Sequence, residues 1–154
     1  PLLFRLLESV PRFKCIVALM QREVAERLTA RPGSKAYGTL SVMLAYHATR
    51  LETVATVSPN VFVPRPEVAS AVVRIDLRPE LDLALAAELS AVVRAAFGHR
   101  RKTLRRALAE SGRWSTAQIE AALAASRIDP TRRGESLDLD AFWALTEAFR
   151  RAEG

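Results

Sequence analysis

The stretch that most constrains the chain runs from Pro59 to Arg74, Pro-Asn-Val-Phe-Val-Pro-Arg-Pro-Glu-Val-Ala-Ser-Ala-Val-Val-Arg. Pro64 and Pro66 each lock φ at about −65° and push Val63 and Arg65 toward extended geometry. Such a segment cannot join a helix; it is a stiff loop shaped by its two prolines. Beyond it, Val73, Ile75 and Leu77 alternate with Arg74, Asp76 and Arg78. That period of two marks a half-buried strand over Ala69 to Leu77. Phe62 stands just ahead of the stiff segment. Two roles suit it: a plug in the core, where most phenylalanines go, or a flat face that a rigid loop presents to a ring-shaped ligand.

Ahead of this loop, Pro1 to Glu8 reads as a short helix with Leu2, Leu3, Leu6 and Leu7 apolar, broken by Pro11. Phe13 to Met20 is a nearly unbroken apolar run, which predicts a strand buried on both faces, as in a parallel sheet. Gln21 to Ala30 alternates charges around Val24 and Leu28 and predicts a helix. Arg31 to Gly38 is a loop whose glycine spacing matches no nucleotide-binding turn. A helix over Thr39 to Ala48 and a Val- and Thr-rich strand over Leu51 to Val57 follow. The proline loop then closes a long hairpin.

At Arg78-Pro79-Glu80 the composition turns rich in Ala and Leu and the strand signals stop. Helices are predicted over Leu83 to Phe97, ended by Gly98, and over Arg101 to Ser111, ended by Gly112. Ser115 to Gln118 has the spacing of a capping box and opens a third helix through Ser126. Asp138 caps a fourth, with Leu137 and Phe142 as a hydrophobic staple and Phe142, Leu145 and Phe149 as the buried stripe. Trp114 and Trp143 read as core anchors. The expected organisation is an α/β segment over residues 1–79 and an all-α domain over residues 80–154.

The net charge of +6 is not spread evenly. Between Arg94 and Arg113 lie seven basic residues, Arg94, Arg100, Arg101, Lys102, Arg105, Arg106 and Arg113, against the single acid Glu110. This window holds the whole excess, and so concentrated a charge favours a polyanionic partner. Arg101 and Arg105, like Lys102 and Arg106, are four apart and would form two basic rows on the second helix. One cysteine, Cys15, excludes an internal disulfide and a cysteine metal cluster, and fits a reducing cytoplasm. His47 and His99 have no partner at metal-ligand spacing, so no metal is expected. No apolar run approaches the roughly 20 residues of a membrane span, and no signal peptide is visible.

The pattern F-x-P-x-P-x-V-x-S-A-V-V-R, from Phe62 to Arg74, resembles a signature of the KsgA-type rRNA adenine dimethyltransferases. Leu19 to Leu28 leading into Pro32 to Val42, and Arg100 to Leu108, fit the same family in the same order. The resemblance implies the second half of a Rossmann-like methyltransferase sheet followed by a small helical RNA-binding domain. It implies that Phe62 stacks on the target adenine. Arg100, Arg101, Lys102, Arg105, Arg106, Lys35 and Tyr37 would meet RNA. The implied partner is small-subunit rRNA or the pre-ribosomal small subunit, and the implied protein is a cytoplasmic monomer.

The family's cofactor, S-adenosylmethionine, needs a glycine-rich turn, and its target amine needs an Asn-Leu-Pro-Tyr motif. No two of the six glycines are spaced G-x-G, and the only asparagine, Asn60, precedes Val61. The chain therefore reads as a carboxy-terminal portion that holds no cofactor-binding residues and is inactive alone. Two alternatives share the pattern. One is a macrolide-resistance type acting on large-subunit rRNA; the other is a non-catalytic RNA-binding or ribosome-assembly relative.

Overall fold

The computed structural model describes residues 2–7, 13–99 and 101–153. The elements run α1 (Leu2–Leu7), β1 (Cys15–Gln21), α2 (Arg22–Leu28), α3 (Thr39–His47), β2 (Ala48–Val57) and β3 (Ser70–Leu77), then α4 (Leu83–Gly98), α5 (Leu104–Glu110), α6 (Thr116–Ala125) and α7 (Leu139–Glu153). Single 3₁₀ turns lie at Pro59–Val61 and Gly134–Ser136. Glu8, Pro11 and Arg100 fall outside the described residues.

The sheet has the order β1-β3-β2, and β3 pairs antiparallel to both neighbours. The alternation after the proline loop decides the register. Ala71, Val73, Ile75 and Leu77 are buried, while Arg74 points to solvent. The hairpin of β2 and β3 forms as the sequence predicts, with β2 starting three residues early, directly from the end of α3. The reading of β1 as a parallel strand buried on both faces does not hold. Its only described partner is antiparallel β3, and Val17 and Leu19 are 64% and 54% exposed. Helices α1 to α3 cover one face of the sheet, burying Ile16, while the other face is uncovered by any described element. An unbroken apolar run records two apolar faces; it does not record strand direction.

Caps fix the helical part. Asp82 accepts from the Leu85 amide at 3.0 Å, Ser115 and Gln118 close a capping box, and Asp138 accepts from the Ala141 amide at 2.9 Å. Leu137 and Phe142 are both fully buried, as a staple requires. Helix α5 begins at Leu104, not Arg101, because the preceding segment folds otherwise. Lys102 donates to the His99 carbonyl, and the first helical amides, Leu104 and Arg105, donate to Arg132 and Pro130 carbonyls at 2.6 and 3.3 Å. Arg101 and Lys102 therefore sit in a turn, and the two predicted basic rows do not exist as helix rows. Trp114 is buried and stacked on Phe149 at 4.3 Å, but Trp143 is 42% exposed and so is not a core anchor. It leans on Tyr46 at 5.4 Å while its other side meets solvent.

Two apolar cores result. One lies under the sheet and contains Leu7, Ile16, Leu28, Val73 and Ile75. The other is built by α4 to α7 around Leu89, Leu104, Leu108, Phe142 and Leu145. Helix α3 belongs to both: Leu44 faces the sheet, whereas Val42, Met43 and Tyr46 enter the helical core.

Candidate nucleic-acid interface

The loop between β2 and β3 begins with a turn that its own residues close. Ser58 caps it by accepting from the Asn60 amide at 3.3 Å, Pro59 fills its first position, and the Phe62 amide donates to the Pro59 carbonyl at 3.3 Å. Phe62 follows in extended geometry, and Val63–Pro64 is a cis peptide. The far end of the loop is tied by the Arg22 amide to the Ala69 carbonyl at 2.9 Å. Pro64 is exposed and Pro66 half-buried. Phe62 is half-buried and belongs to neither core. The loop lies beside the carboxyl end of β1, since Gln21 pairs with Ser70. The loop can thus offer one ring face without unpacking anything.

The basic residues lie on the helical part and differ in their pairing. Lys102 Nζ donates to Glu110, whose other oxygen is 3.3 Å from His99 Nδ1. The Lys102 hydrogen bond holds the Glu110 carboxyl below its ordinary pKa, although partial burial pushes the other way. Arg105 Nε is 2.5 Å from Glu120 on α6. Arg101 and Arg106 are exposed and carry no ion pair among the described residues. The candidate surface so presents Arg101 and Arg106 without a direct ion pair among the described residues, although the charge of Arg106 acts on Glu110, and two cations held by carboxylates that an incoming phosphate would have to displace. Glu120 was invisible to sequence reasoning, since it lies on another helix and nothing in spacing joins it to Arg105. Glu110 was visible, but eight residues from Lys102 is no helical period.

Lys35 is exposed in the loop between α2 and α3. Tyr37 is not available to RNA. It is 5% exposed, its hydroxyl donates to the Leu137 carbonyl at 2.8 Å, and its ring meets Phe97 edge-on at 5.9 Å. The Gly33 amide donates to the Glu135 carbonyl at 2.7 Å. Those contacts pin the loop that carries Lys35 to the helical part. Gly33 has φ +83°, a conformation that glycine adopts without strain.

Other chemistry is sparse. Among the described residues no group of His, Cys, Asp and Glu could hold a metal ion, and no helix is long and apolar enough to cross a membrane. Cys15 is half-buried, and burial together with its hydrogen bond to Asp76 pushes its thiol up, away from the reactive thiolate.

An antiparallel strand hairpin with a half-buried aromatic on its loop, followed by a basic helical part, is the arrangement that the resemblance to the rRNA adenine dimethyltransferases implies. The ribosomal RNA adenine dimethylase family matches residues 1–145, and the chain belongs to it. The chain is 43% identical over 155 aligned residues to the ribosomal RNA small subunit methyltransferase A of Bacillus licheniformis, covering 97% of this chain and 53% of that protein. It is 47% identical over 148 residues to the protein of the same name from Anaeromyxobacter sp. strain K, covering 96% and 51%. The chain thus spans about half the length of these relatives. Among solved structures, a dimethyladenosine transferase from Plasmodium falciparum superposes with a TM-score of 0.83 at 23% identity, covering 99% of this chain and 63% of that one. The 23S rRNA methyltransferase ErmE gives 0.63 at 22% identity, covering 97% and 59%. Both share the fold.

Proposed function

We propose that the protein carrying this chain is an S-adenosylmethionine-dependent rRNA adenine dimethyltransferase that modifies adjacent adenosines near the 3′ end of small-subunit rRNA in the cytoplasm, acting as a monomer on rRNA or the pre-ribosomal small subunit. Residues 1–79 form part of its methyltransferase domain and residues 80–154 bind RNA. The observation that carries this reading is Phe62, half-buried and outside both cores, on a loop closed by its own turn and two prolines, within a sequence that matches the family. Phe62 stacks on the extruded adenine and sets its amine in line for transfer. Arg101, Lys102, Arg105 and Arg106, with Lys35, hold phosphates.

The residues present do not fit the cofactor. The only described positive-φ glycines are Gly33 and Gly112; neither opens a helix after a strand, and neither has a second glycine two residues away. The cofactor therefore belongs to the rest of the enzyme. Titrating this chain with S-adenosylmethionine in a calorimeter is expected to give no saturable heat, and a micromolar dissociation constant would overturn that assignment.

The test of the function is methyl transfer by the full-length protein to small-subunit and large-subunit precursor RNA. Methylation of the small-subunit RNA alone is expected. Stacking on a base is worth about 1–3 kcal/mol, so Phe62→Ala lowers the rate about tenfold to a hundredfold. Methylation of large-subunit RNA alone transfers the reading to the macrolide-resistance type. No methylation with intact RNA binding makes the protein a non-catalytic binder.

A further inference from the structure

We propose that the groove between α4 and α5 is a docking site for one unpaired ribonucleotide of the bound RNA, separate from the Phe62 loop. This rests on the RNA-binding reading above. The groove encloses about 610 Å³ and is lined by Ala87, Ser90, Ala91, Arg94, Ala95, Gly98, His99, Ala107, Ser111 and Arg113. That volume falls within the roughly 300–1,000 Å³ of ordinary small-ligand sites.

Its origin is legible in the α4 sequence. Positions 87, 90, 91, 94, 95 and 98 follow helical spacing and form one stripe beside the core face of Leu85, Leu89, Val92 and Val93. A helix flank next to solvent ordinarily carries long charged side chains. Here the stripe is Ala, Ser, Ala, Arg, Ala, Gly, so α5 approaches with Ala107 and a trough is left.

Two features select the occupant. The charged side chains lining the trough are Arg94 and Arg113, with His99 beside them, and no carboxylate lines it among the described residues. Arg113 also lies over the Trp114 ring at 5.4 Å, which holds its guanidinium at the rim. Independently, Ser90 is only 8% exposed, lines the trough, and its hydroxyl makes no hydrogen bond among the described residues. The hydroxyl oxygen is not among the fully buried unpartnered atoms, so it opens into the trough, where an occupant can bond to it. A ribose 2′-hydroxyl or a base edge supplies that bond, and the flanking phosphates meet the arginines, while the alanine floor receives the flat side of the sugar or base. A deoxyribose lacks that hydroxyl.

The experiment measures binding of a fluorescein-labelled small-subunit rRNA fragment to the 154-residue chain by anisotropy across a salt series. Ala91→Leu fills the trough without touching a charge. It is expected to weaken binding about tenfold and to make the log–log salt slope shallower by about 0.7, the share of one single-strand phosphate. Arg113→Ala, at an exposed position, should weaken binding with the same loss of slope even if Ala91→Leu lowers the melting temperature. Wild-type chain that does not bind the fragment overturns the RNA reading and the groove together. Wild-type binding that both variants retain unchanged overturns the groove alone. In that case a small-residue trough of this kind is left to a partner helix.

Discussion

Replacing Tyr37 by Phe removes one hydroxyl and nothing else, and that hydroxyl bridges the two halves of the molecule. It donates to the carbonyl of fully buried Leu137 at 2.8 Å. Phenylalanine keeps the edge-on contact with Phe97. The cost is a buried acceptor without its donor, about 1–3 kcal/mol. At about 2–4 °C per kcal/mol for a chain of this size, the melting temperature should fall by roughly 2–12 °C. The same group makes stability depend on pH. Burial, and secondarily the charge of Asp138, push the Tyr37 hydroxyl up to about 12. In the unfolded chain it titrates near ~10. Between those values the unfolded state has lost the proton and the folded state has kept it, so stability falls as pH rises through this window and is flat below it. At pH 11 the loss from this one group is about 1.4 kcal/mol. Tyr37→Phe has no such group, so the gap between mutant and wild type should be widest near pH 8 and narrow by that amount at pH 11. Urea unfolding at the two pH values reads both numbers. A mutant within about 0.5 kcal/mol of wild type at pH 8, with an unchanged gap at pH 11, would refute the bridging role.

Phe62→Ala should shift the melting temperature by under about 2 °C, whereas Phe142→Ala, in the centre of the helical core, should cost about 3–5 kcal/mol; equal losses would return Phe62 to the core. Removing Arg105 and Arg106 together should weaken rRNA binding and make the salt slope shallower by roughly one to two units, while removing Arg22 and Arg27, paired with Glu26 and Glu23 on α2, should leave it unchanged. Glu110→Gln should release Lys102 and His99 for phosphate, raising rRNA affinity about two- to fivefold and steepening the slope by about 0.7; weaker binding would show that Glu110 orders the turn at residues 101–103 instead.

The parts of the fold legible in the sequence were those fixed by neighbours in the chain. The proline loop, the alternation of β3, the capping box at Ser115 and the staple at Leu137 and Phe142 each depend on residues within five positions of one another, and all lie where the sequence places them. The misreadings depended on distant residues. The start of α5 is set by carbonyls at Pro130 and Arg132, and the half-covered state of β1 by which helices reach it. At the candidate interface, composition located the charge but not its balance. Glu120 neutralises Arg105 from another helix, and Tyr37, which the resemblance places against RNA, turns inward because Leu137 and Phe97 offer it a carbonyl and a ring.

The junction between the two cores determines how the helical part and the Phe62 loop can move relative to each other. Three hydrogen bonds cross it: Tyr37 hydroxyl to the Leu137 carbonyl, Gly33 amide to the Glu135 carbonyl, and Tyr46 hydroxyl to the Asp82 carbonyl at 3.0 Å. Helix α3 supplies side chains to both cores, so rotating one half against the other would expose Val42, Met43 and Tyr46 or Leu44. Burying one such side chain is worth about 1.5–3 kcal/mol, so a hinge here would cost several such increments and all three bonds. The α3–β2 connection adds no slack, because the strand begins at Ala48 immediately after the helix ends at His47. The helical part and the β2–β3 hairpin therefore move as one piece. On the proposed reading, RNA held by the basic turn would be placed in a fixed frame relative to Phe62, which leaves base extrusion, not domain closure, for substrate binding to drive.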